Sequence, residues 1–121
     1  MEVILFRHGI AEERRNGLPD ADRELTPRGR ERTAAAARGL ARVIGTPEAV
    51  LTSPKKRALA TTQLLGAELD LVPREAKALA EGGPADVLRV VQQAAPAGCI
   101  IVVGHEPTLS DTVRHLCGGL S

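Results

Sequence analysis

Short runs of apolar residues recur along the chain, each too short to form a helix. The clearest runs are residues 3–6, Ala49–Thr52 and residues 99–103, and a weaker one lies near residues 69–72. Apolar runs of this length are typical of buried strands. Helix-like segments lie between them, and strands that alternate with helices indicate a parallel sheet covered on both faces. The pattern therefore predicts a three-layer α/β fold with a mostly parallel sheet and helices on both faces.

A hydroxyl residue followed by proline marks the start of two helices. Thr26 and Ser53 each precede a proline, and a hydroxyl cap before a proline at the first helical position is a common helix start. The first of these helices is predicted to end near residue 43. Two further helices are predicted to begin at Pro84 and near Pro107.

Residues 10–24 are polar and follow neither helical nor strand periodicity. A loop of this length inside a compact domain usually has a function. Because it leaves directly from Arg7 and His8, it is predicted to form one wall of a site there. Gly9, between that pair and the loop, is expected to permit a sharp turn or a close approach to a ligand. Residues 79–83 are predicted to form a second loop.

Length, composition and net charge indicate a single domain with an aliphatic core and argue against some classes of partner. A chain of 121 residues is expected to form one domain, residues 1–121. Apolar residues make up 43% of the chain and aromatic residues only 1%, so the core must be built from Leu, Val, Ile and Ala. The formal net charge of +1 argues against a surface that binds nucleic acid or membrane.

The cysteines and the absence of apolar segments of membrane length bear on the compartment. Cys99 and Cys117 are the only cysteines, and they lack the spacing of a zinc site. Both are predicted to be reduced thiols. We expect no leader before the first strand, because no basic and then apolar segment with a cleavage site is recognised there, and no apolar run reaches membrane length. The sequence therefore predicts a cytoplasmic protein.

Polar residues that could bind an anion follow three of the predicted strands. Arg7 and His8 come after the first strand, Ser53 and Arg57 after the second, and His105 after the last. The carboxyl ends of parallel strands meet at one edge of a sheet, where α/β proteins bind ligands. Guanidinium groups and a helix N-terminus are suited to phosphate oxygens. The sequence therefore predicts a pocket for a phosphoryl group.

These residues also form motifs that resemble a known family. In chain order the motifs are Arg7-His8-Gly9, Ser53-Pro54 with Arg57-Ala58 and Thr61, and Gly104-His105. They are similar to those of the histidine phosphatase superfamily, which has the phosphoglycerate mutase-like fold. Two further patterns are most similar to the SixA-type phosphohistidine phosphatases, namely Arg23-x-Leu25-Thr26-x-x-Gly29 and His105-x-Pro107-x-Leu109.

The resemblance implies a role for each residue of the pocket. His8 is the nucleophile, which takes the phosphoryl group and then loses it to water. Arg7, Arg57 and a protonated His105 hold the phosphoryl oxygens and stabilise their charge. No metal and no cofactor are implied. Three further residues are peripheral candidates: Gly9, Ser53 and Glu106.

The source of the leaving-group proton stays open. In larger members of the superfamily a carboxylic acid supplies it, and Glu81 is the best candidate in this chain. Small SixA-type members are thought to lack a dedicated acid. Imidazole leaves readily because its own pKa is about 6.5. If Glu81 is merely a loop residue, phosphohistidine is the favoured substrate.

Several other residues are expected to be structural. Lys55 and Lys56 are predicted to lie on a solvated basic face, although the family more often has an apolar residue at position 55. Arg23 is expected to form a structural ion pair. Glu106 is expected to be a carboxylate at a helix N-terminus, and His115 to have no function.

The implied function is removal of phosphate from phosphohistidine, on a His-containing phosphotransfer domain of a signalling relay. One alternative is a phosphatase that acts on a small phosphomonoester. Another is a non-catalytic module that binds phosphorylated partners. That alternative arises because SixA-type proteins continue with further sheet where this C-terminally short chain ends at Ser121. The sequence leaves open whether a tail is missing, and it is silent on oligomeric state.

Overall fold

The computed structural model describes residues 2–94 and 98–116. In this part of the chain four strands form one sheet, with β1, β4, β2 and β3 in that order across it. All three strand pairings are parallel. The strands are β1 Glu2–Arg7, β2 Ala49–Thr52, β3 Pro73–Glu75 and β4 Cys99–Gly104.

Within residues 2–94 and 98–116, five α-helices connect and flank the strands. They are α1 Pro27–Ala41, α2 Lys56–Gly66, α3 Ala78–Glu81, α4 Pro84–Ala94 and α5 Thr108–Leu116. A single 3-10 turn, Asp20–Asp22, interrupts the long loop between β1 and α1. Within the described residues, no helix is both long enough and apolar enough to cross a membrane.

Side-chain alternation along β4 divides the core into two layers. Ile100 and Val102 face one side of the sheet, where they pack with residues of β2, α3, α4 and α5. Ile101 and Val103 face the other side and pack with residues of β2, α1 and α2. All four are fully buried, because β4 lies between two other strands and both of its faces are covered. This arrangement confirms the predicted three-layer α/β fold.

Thr26 begins α1 as the sequence predicts. Its hydroxyl accepts a hydrogen bond from the backbone N–H of Gly29 at 2.9 Å, and Pro27 is the first helical residue. The hydroxyl therefore satisfies one of the free N–H groups at the helix start. α1 ends at Ala41, close to the predicted end near residue 43.

The start of the second helix was predicted wrongly. α2 begins at Lys56, with Lys55 as its cap, and not at Pro54. The Ser53 hydroxyl accepts the backbone N–H of Lys55 at 3.2 Å and also bonds a histidine ring described below. Ser53 therefore shapes the turn before the helix and does not cap the helix itself.

Two shorter elements also differ from the sequence prediction. The strand expected near residues 69–72 lies at Pro73–Glu75, and part of the loop expected over residues 79–83 is the short helix α3. Such short elements carry little periodicity of their own, so the sheet and the neighbouring helices decide where they form. Cys99 is a free thiol at the start of β4, while Cys117 lies outside the described residues.

Gly9 lets the chain after β1 pack against α1. A Cβ atom on Gly9 would overlap Oγ1 of the buried Thr33, and one on Gly29 would overlap the carbonyl of Ile10. Gly9 does not have a positive φ, so the expected sharp turn is not the reason for this glycine. The reason is the close approach of the backbone to α1, which fixes where the Arg7-His8 pair lies.

Candidate active site

Strand pairing brings the three predicted polar segments together. β1 and β2 both pair with β4, and Arg7 lies opposite Gly104. The pairing continues past the strand ends, because the His8 N–H bonds the carbonyl of Gly104 and the Ser53 N–H bonds that of Val103. The rings of His8 and His105 consequently lie with their centroids 4.9 Å apart.

The hydrogen bonds of His8 define which ring nitrogen can react. Nδ1 donates to the carbonyl of Gly9 at 2.7 Å, because a carbonyl oxygen can only accept. The Arg57 Nε–H donates to Nε2 of His8 at 3.3 Å. Nε2 therefore carries a lone pair and no proton. Burial lowers the pKa of His8, and the positive charges of Arg57 and Arg7 lower it further. His8 is thus a neutral imidazole with Nε2 available as a nucleophile.

α2 carries two residues that fix the segment after β1. Arg57 lies in the first turn of α2, and its side chain is only 4% exposed. Thr61, one turn later, accepts the Gly9 N–H at 3.1 Å and donates to the Arg57 carbonyl at 2.8 Å. The helix that supplies the guanidinium therefore also positions the backbone beside the nucleophile.

Ser53 orients the second histidine. Its hydroxyl lies 2.7 Å from Nε2 of His105, and Ser53 is fully buried. Burial lowers the pKa of His105 to about 3, and the neighbouring His8, Arg57 and Lys55 contribute to the shift. This ring is therefore neutral at pH 7, in contrast to the protonated ring that the resemblance implies. Its buried Nδ1 has no hydrogen-bond partner among the described residues.

Arg7 differs from Arg57 in its surroundings. It is the last residue of β1 and is exposed. It lines a cavity of about 250 Å³ together with His8, Gly9 and the α1 residues Arg32 and Thr33. In the described part of the chain, Arg7 forms no ion pair. Its guanidinium is consequently open to an incoming anion beside His8.

Asp20 is the site residue that sequence reasoning missed. The 3-10 turn places its carboxylate against the start of α2, where Oδ2 lies 2.8 Å from Lys55 Nζ and 3.0 Å from Arg57 Nη2. The hydrogen bonds from Lys55 and Arg57 hold the pKa of this carboxyl far below its usual range. One signal was available in the sequence, because a pocket with several cations and no carboxylate needs a counter-ion.

The basic residues near Asp20 divide into two groups. Lys55 was expected on a solvated face, yet its side chain is only 22% exposed and its Nζ forms an ion pair with the Asp20 carboxylate. Lys56 is exposed and lies 3.7 Å from Asp22, as a solvated residue would. Arg23 forms the expected ion pair, with Nη2 3.0 Å from Oδ1 of Asp20. The long loop therefore does form a wall of the site, as its position after His8 predicts.

The structure does not connect Glu81 to the pocket. It is the last residue of α3, its side chain is 66% exposed, and its carboxylate lies 3.8 Å from Lys77. It forms no hydrogen bond with His8, Arg57 or His105. Glu106 is exposed before α5 and accepts a hydrogen bond from Ser110, which agrees with the expected carboxylate at a helix N-terminus.

The described residues offer no cluster of metal-binding side chains. Across residues 2–94 and 98–116, no three His, Cys, Asp or Glu side chains are grouped in a way that could hold a metal ion. The cationic groups that act on His8 are instead the side chains of Arg57, Arg7 and Arg23.

The lowered pKa of His105 predicts a loss of stability in acid. The folded protein keeps this ring neutral down to about pH 3, whereas the unfolded chain takes up the proton near pH 6.5. Because the unfolded state binds more protons in this window, the free energy of unfolding should decrease as pH falls from 6.5 towards 3. Urea midpoints measured in phosphate-free buffer at several pH values check this.

Two variants identify the group responsible for the acid dependence. His105→Asn should make the dependence shallower, with the remaining slope due in part to His8 and Asp20. His115→Asn, at an exposed position on α5, should leave the dependence as in the wild type. Equal slopes for the wild type and His105→Asn would contradict the assignment to His105.

Comparison with known proteins agrees with this site. Residues 3–85 match the family described as the Histidine phosphatase superfamily (branch 1). An uncharacterized protein of Picosynechococcus sp. is 36% identical over 123 residues, which cover 98% of this chain and 74% of that protein.

Solved structures show the same fold. The protein histidine phosphatase SixA in complex with tungstate is 27% identical with a TM-score of 0.85, over 96% of this chain and 76% of that one. A SixA of Agrobacterium tumefaciens, described as a candidate phosphohistidine phosphatase, has a TM-score of 0.88 at 24% identity, over 94% and 75%. A mycobacterial glucosyl-3-phosphoglycerate phosphatase reaches 0.72 at 20% identity, over 94% and 78%. The likenesses to the Agrobacterium and mycobacterial structures show the fold, while the family match and the likeness to the SixA complex support a phosphatase. The chain therefore belongs to the histidine phosphatase superfamily, and within it to the SixA type.

Proposed function

We propose that this protein is a phosphohistidine phosphatase that acts on a phosphorylated histidine of another protein, such as a His-containing phosphotransfer domain. The observation that carries the proposal is the state of His8. Its Nδ1 proton is held by the Gly9 carbonyl, and its unprotonated Nε2 faces the Arg57 Nε–H. An imidazole held in this way is prepared to accept a phosphoryl group.

The proposed reaction has two displacements. Nε2 of His8 gives up the hydrogen bond from Arg57 and attacks phosphorus in line, so that an N–P bond forms on His8 and the substrate N–P bond breaks. The freed Arg57 N–H then donates to a phosphoryl oxygen. The substrate imidazole leaves as a neutral ring because its other nitrogen carries a proton. Water then attacks the phosphorus on His8, which releases inorganic phosphate and restores the imidazole. Arg57 and Arg7 stabilise charge on the phosphoryl oxygens, and His105 contributes as a neutral hydrogen-bond donor.

The carboxylates around the pocket favour phosphohistidine as the substrate. Asp20 is ionised and paired with Lys55, Arg57 and Arg23, so it has no proton to give, and the one ion pair that Glu81 forms among the described residues is with Lys77. An alkoxide leaving group requires an acid, whereas imidazole, with a pKa near 6.5, leaves without one. The exposure of Arg7 beside His8 also suits a substrate presented on the surface of a protein.

The proposal also covers the metal dependence of the reaction and its cellular compartment. The positive charge that stabilises the transition state is supplied by guanidinium groups, so the reaction is proposed to proceed without a metal. The reaction is proposed to take place in the cytoplasm, where phosphotransfer relays operate and protein thiols are reduced.

The test compares two substrates under identical conditions. Turnover of a phosphohistidine protein is measured beside an aryl phosphomonoester, with a chelator present throughout. Preferential and chelator-resistant loss of phosphohistidine is the expected result. Activity on the monoester alone would instead assign a small-molecule phosphatase, and binding without turnover of either would assign a non-catalytic phosphate-binding module.

Replacement of Glu81 by Gln tests whether the reaction needs a carboxylic acid. Phosphohistidine turnover should stay within about twofold of wild type, because Glu81 is exposed and paired only with Lys77. Glu31→Gln, at an exposed position on α1, is the matched control. If Glu81→Gln slows the monoester alone, Glu81 acts as an acid for poor leaving groups. A tenfold or larger loss on phosphohistidine would contradict the proposed acid-free step.

A further inference from the structure

We propose that Asp20 is a positioning residue, which holds the Arg57 guanidinium with its Nε edge towards the nucleophilic nitrogen of His8. The inference rests on the proposed function only in taking His8 as the nucleophile. Asp20 does not touch the reacting atoms itself. It acts through Arg57, from the loop between β1 and α1.

Three nitrogens of the Arg57 guanidinium donate hydrogen bonds, two of them to Asp20 and one to His8. Nη1 donates to the backbone carbonyl of Asp20 at 2.7 Å, and Nη2 donates to Oδ2 of the same residue at 3.0 Å. Nε donates to Nε2 of His8 at 3.3 Å. A guanidinium is planar and rigid, so fixing both terminal nitrogens also fixes the direction of Nε. One residue therefore sets how Arg57 faces the nucleophile.

Asp20 is itself held in place from the other side. Arg23 donates to Oδ1 through Nε at 3.0 Å, and its Nη1 donates to the backbone carbonyl of Glu12 at 2.7 Å. Lys55 bonds Oδ2 at 2.8 Å. Each oxygen of the Asp20 carboxylate therefore has a cationic partner. Arg23 also ties this carboxylate to the loop backbone through its hydrogen bond with the Glu12 carbonyl. A carboxylate constrained in this way can transmit a fixed geometry to Arg57.

Charge balance gives Asp20 a second reason to be present. Arg57 is buried, and Lys55 approaches the same carboxylate oxygen, while both nearby imidazoles are neutral at pH 7. Among the described residues, Asp20 is the only carboxylate in contact with Arg57. Without it, the two cations would repel each other, and the guanidinium would turn towards solvent to recover hydration.

The test compares two aspartates on the same 3-10 turn. Asp20→Asn should lower kcat for a phosphohistidine protein by up to about 100-fold, the loss that a misplacement of about 1 Å in a reacting geometry can cause. Asp22→Asn is the matched control, because Asp22 pairs only with the exposed Lys56 at 3.7 Å, and it should stay within about twofold. A kcat for Asp20→Asn equal to that of Asp22→Asn overturns the proposal.

A gain in activity on replacement of Asp20 would indicate a different role for this residue. If Asp20 were an internal anion that competes with substrate, Asp20→Asn would bind inorganic phosphate more tightly and turn over faster. That outcome also overturns the proposal.

A readout without substrate separates this inference from the proposed function. The ¹⁵N chemical shift of His8 Nε2 should move in Asp20→Asn, because Nε2 loses the Arg57 N–H that it accepts in the wild type. It should not move in Asp22→Asn. A shift in Asp20→Asn together with an inactive wild type would retain the positioning role and reject the phosphatase function. An active wild type with an unmoved Nε2 signal in Asp20→Asn would retain the phosphatase function and reject the positioning role.

A second variant covers the case in which Asp20→Asn does not fold. Arg23→Gln keeps the charge of Asp20 and its contacts with Arg57, but removes the hold on Oδ1 and on the Glu12 carbonyl. It should lower kcat and move the Nε2 signal in the same direction as expected for Asp20→Asn, by a smaller amount. Wild-type values for both readouts in a folded Arg23→Gln protein would count against the proposal.

Discussion

Replacement of His8 by Ala is expected to abolish turnover, with kcat reduced by at least about 10⁴-fold, as is usual when a covalent nucleophile is removed. The reason is that no other side chain can take the phosphoryl group at this position. His105 is the only other imidazole in the pocket, and Ser53 orients its ring from Nε2. The variant should fold, because His8 contributes one part-buried ring at the surface end of β1.

Two measurements identify the cause of the loss. The wild type, mixed with a labelled phosphohistidine donor and quenched in alkali, should carry an acid-labile phosphoryl group, and His8→Ala should carry none. His115→Ala is the control, since it removes an imidazole from an exposed position and should leave both label and turnover unchanged. A labelled His8→Ala protein would move the nucleophile to another residue.

Replacement of Arg57 by Ala is expected to have the second largest effect, with kcat lowered by about 10³-fold, within the range seen for loss of an arginine that stabilises a phosphoryl transition state. The guanidinium lies 3.3 Å from the reacting nitrogen and is almost fully buried, where its charge is poorly screened. Its loss also leaves Asp20 with Lys55 and Arg23 as remaining partners.

Arg57→Lys separates charge from geometry. It restores a positive charge but cannot contact Asp20 and His8 at the same time in the manner of a planar guanidinium. Its kcat should therefore lie closer to that of Arg57→Ala than to that of the wild type. Arg89→Ala, which removes an exposed arginine from α4, should change kcat by less than about twofold. A nearly wild-type kcat for Arg57→Lys would show that charge alone is sufficient.

The order of elements and the location of the pocket could be predicted from sequence because their signals are local. Apolar runs identify strands within a few residues, and Thr26 with Pro27 identifies the start of α1 to the residue. Once the sheet is recognised as parallel, Arg7, His8 and His105 must follow strands that end at one edge. The family motifs lie at these same positions, so pattern and resemblance agree.

The counter-ion of the pocket, the protonation of its histidines and the position of Glu81 were decided only by the tertiary structure. Asp20 and Lys55 meet because the 3-10 turn of a loop packs against the start of α2, and no local pattern relates residues on two such segments. His105 is neutral because it is buried beside cations, which depends on neighbours far away in sequence. Glu81 is exposed and paired with Lys77 because the chain after β3 forms a short helix, which places Glu81 and its cap residue Lys77 on one side. The sequence alone determined which strands carry the reactive groups, because that information is local. Their charges and orientations depend on long-range packing and burial.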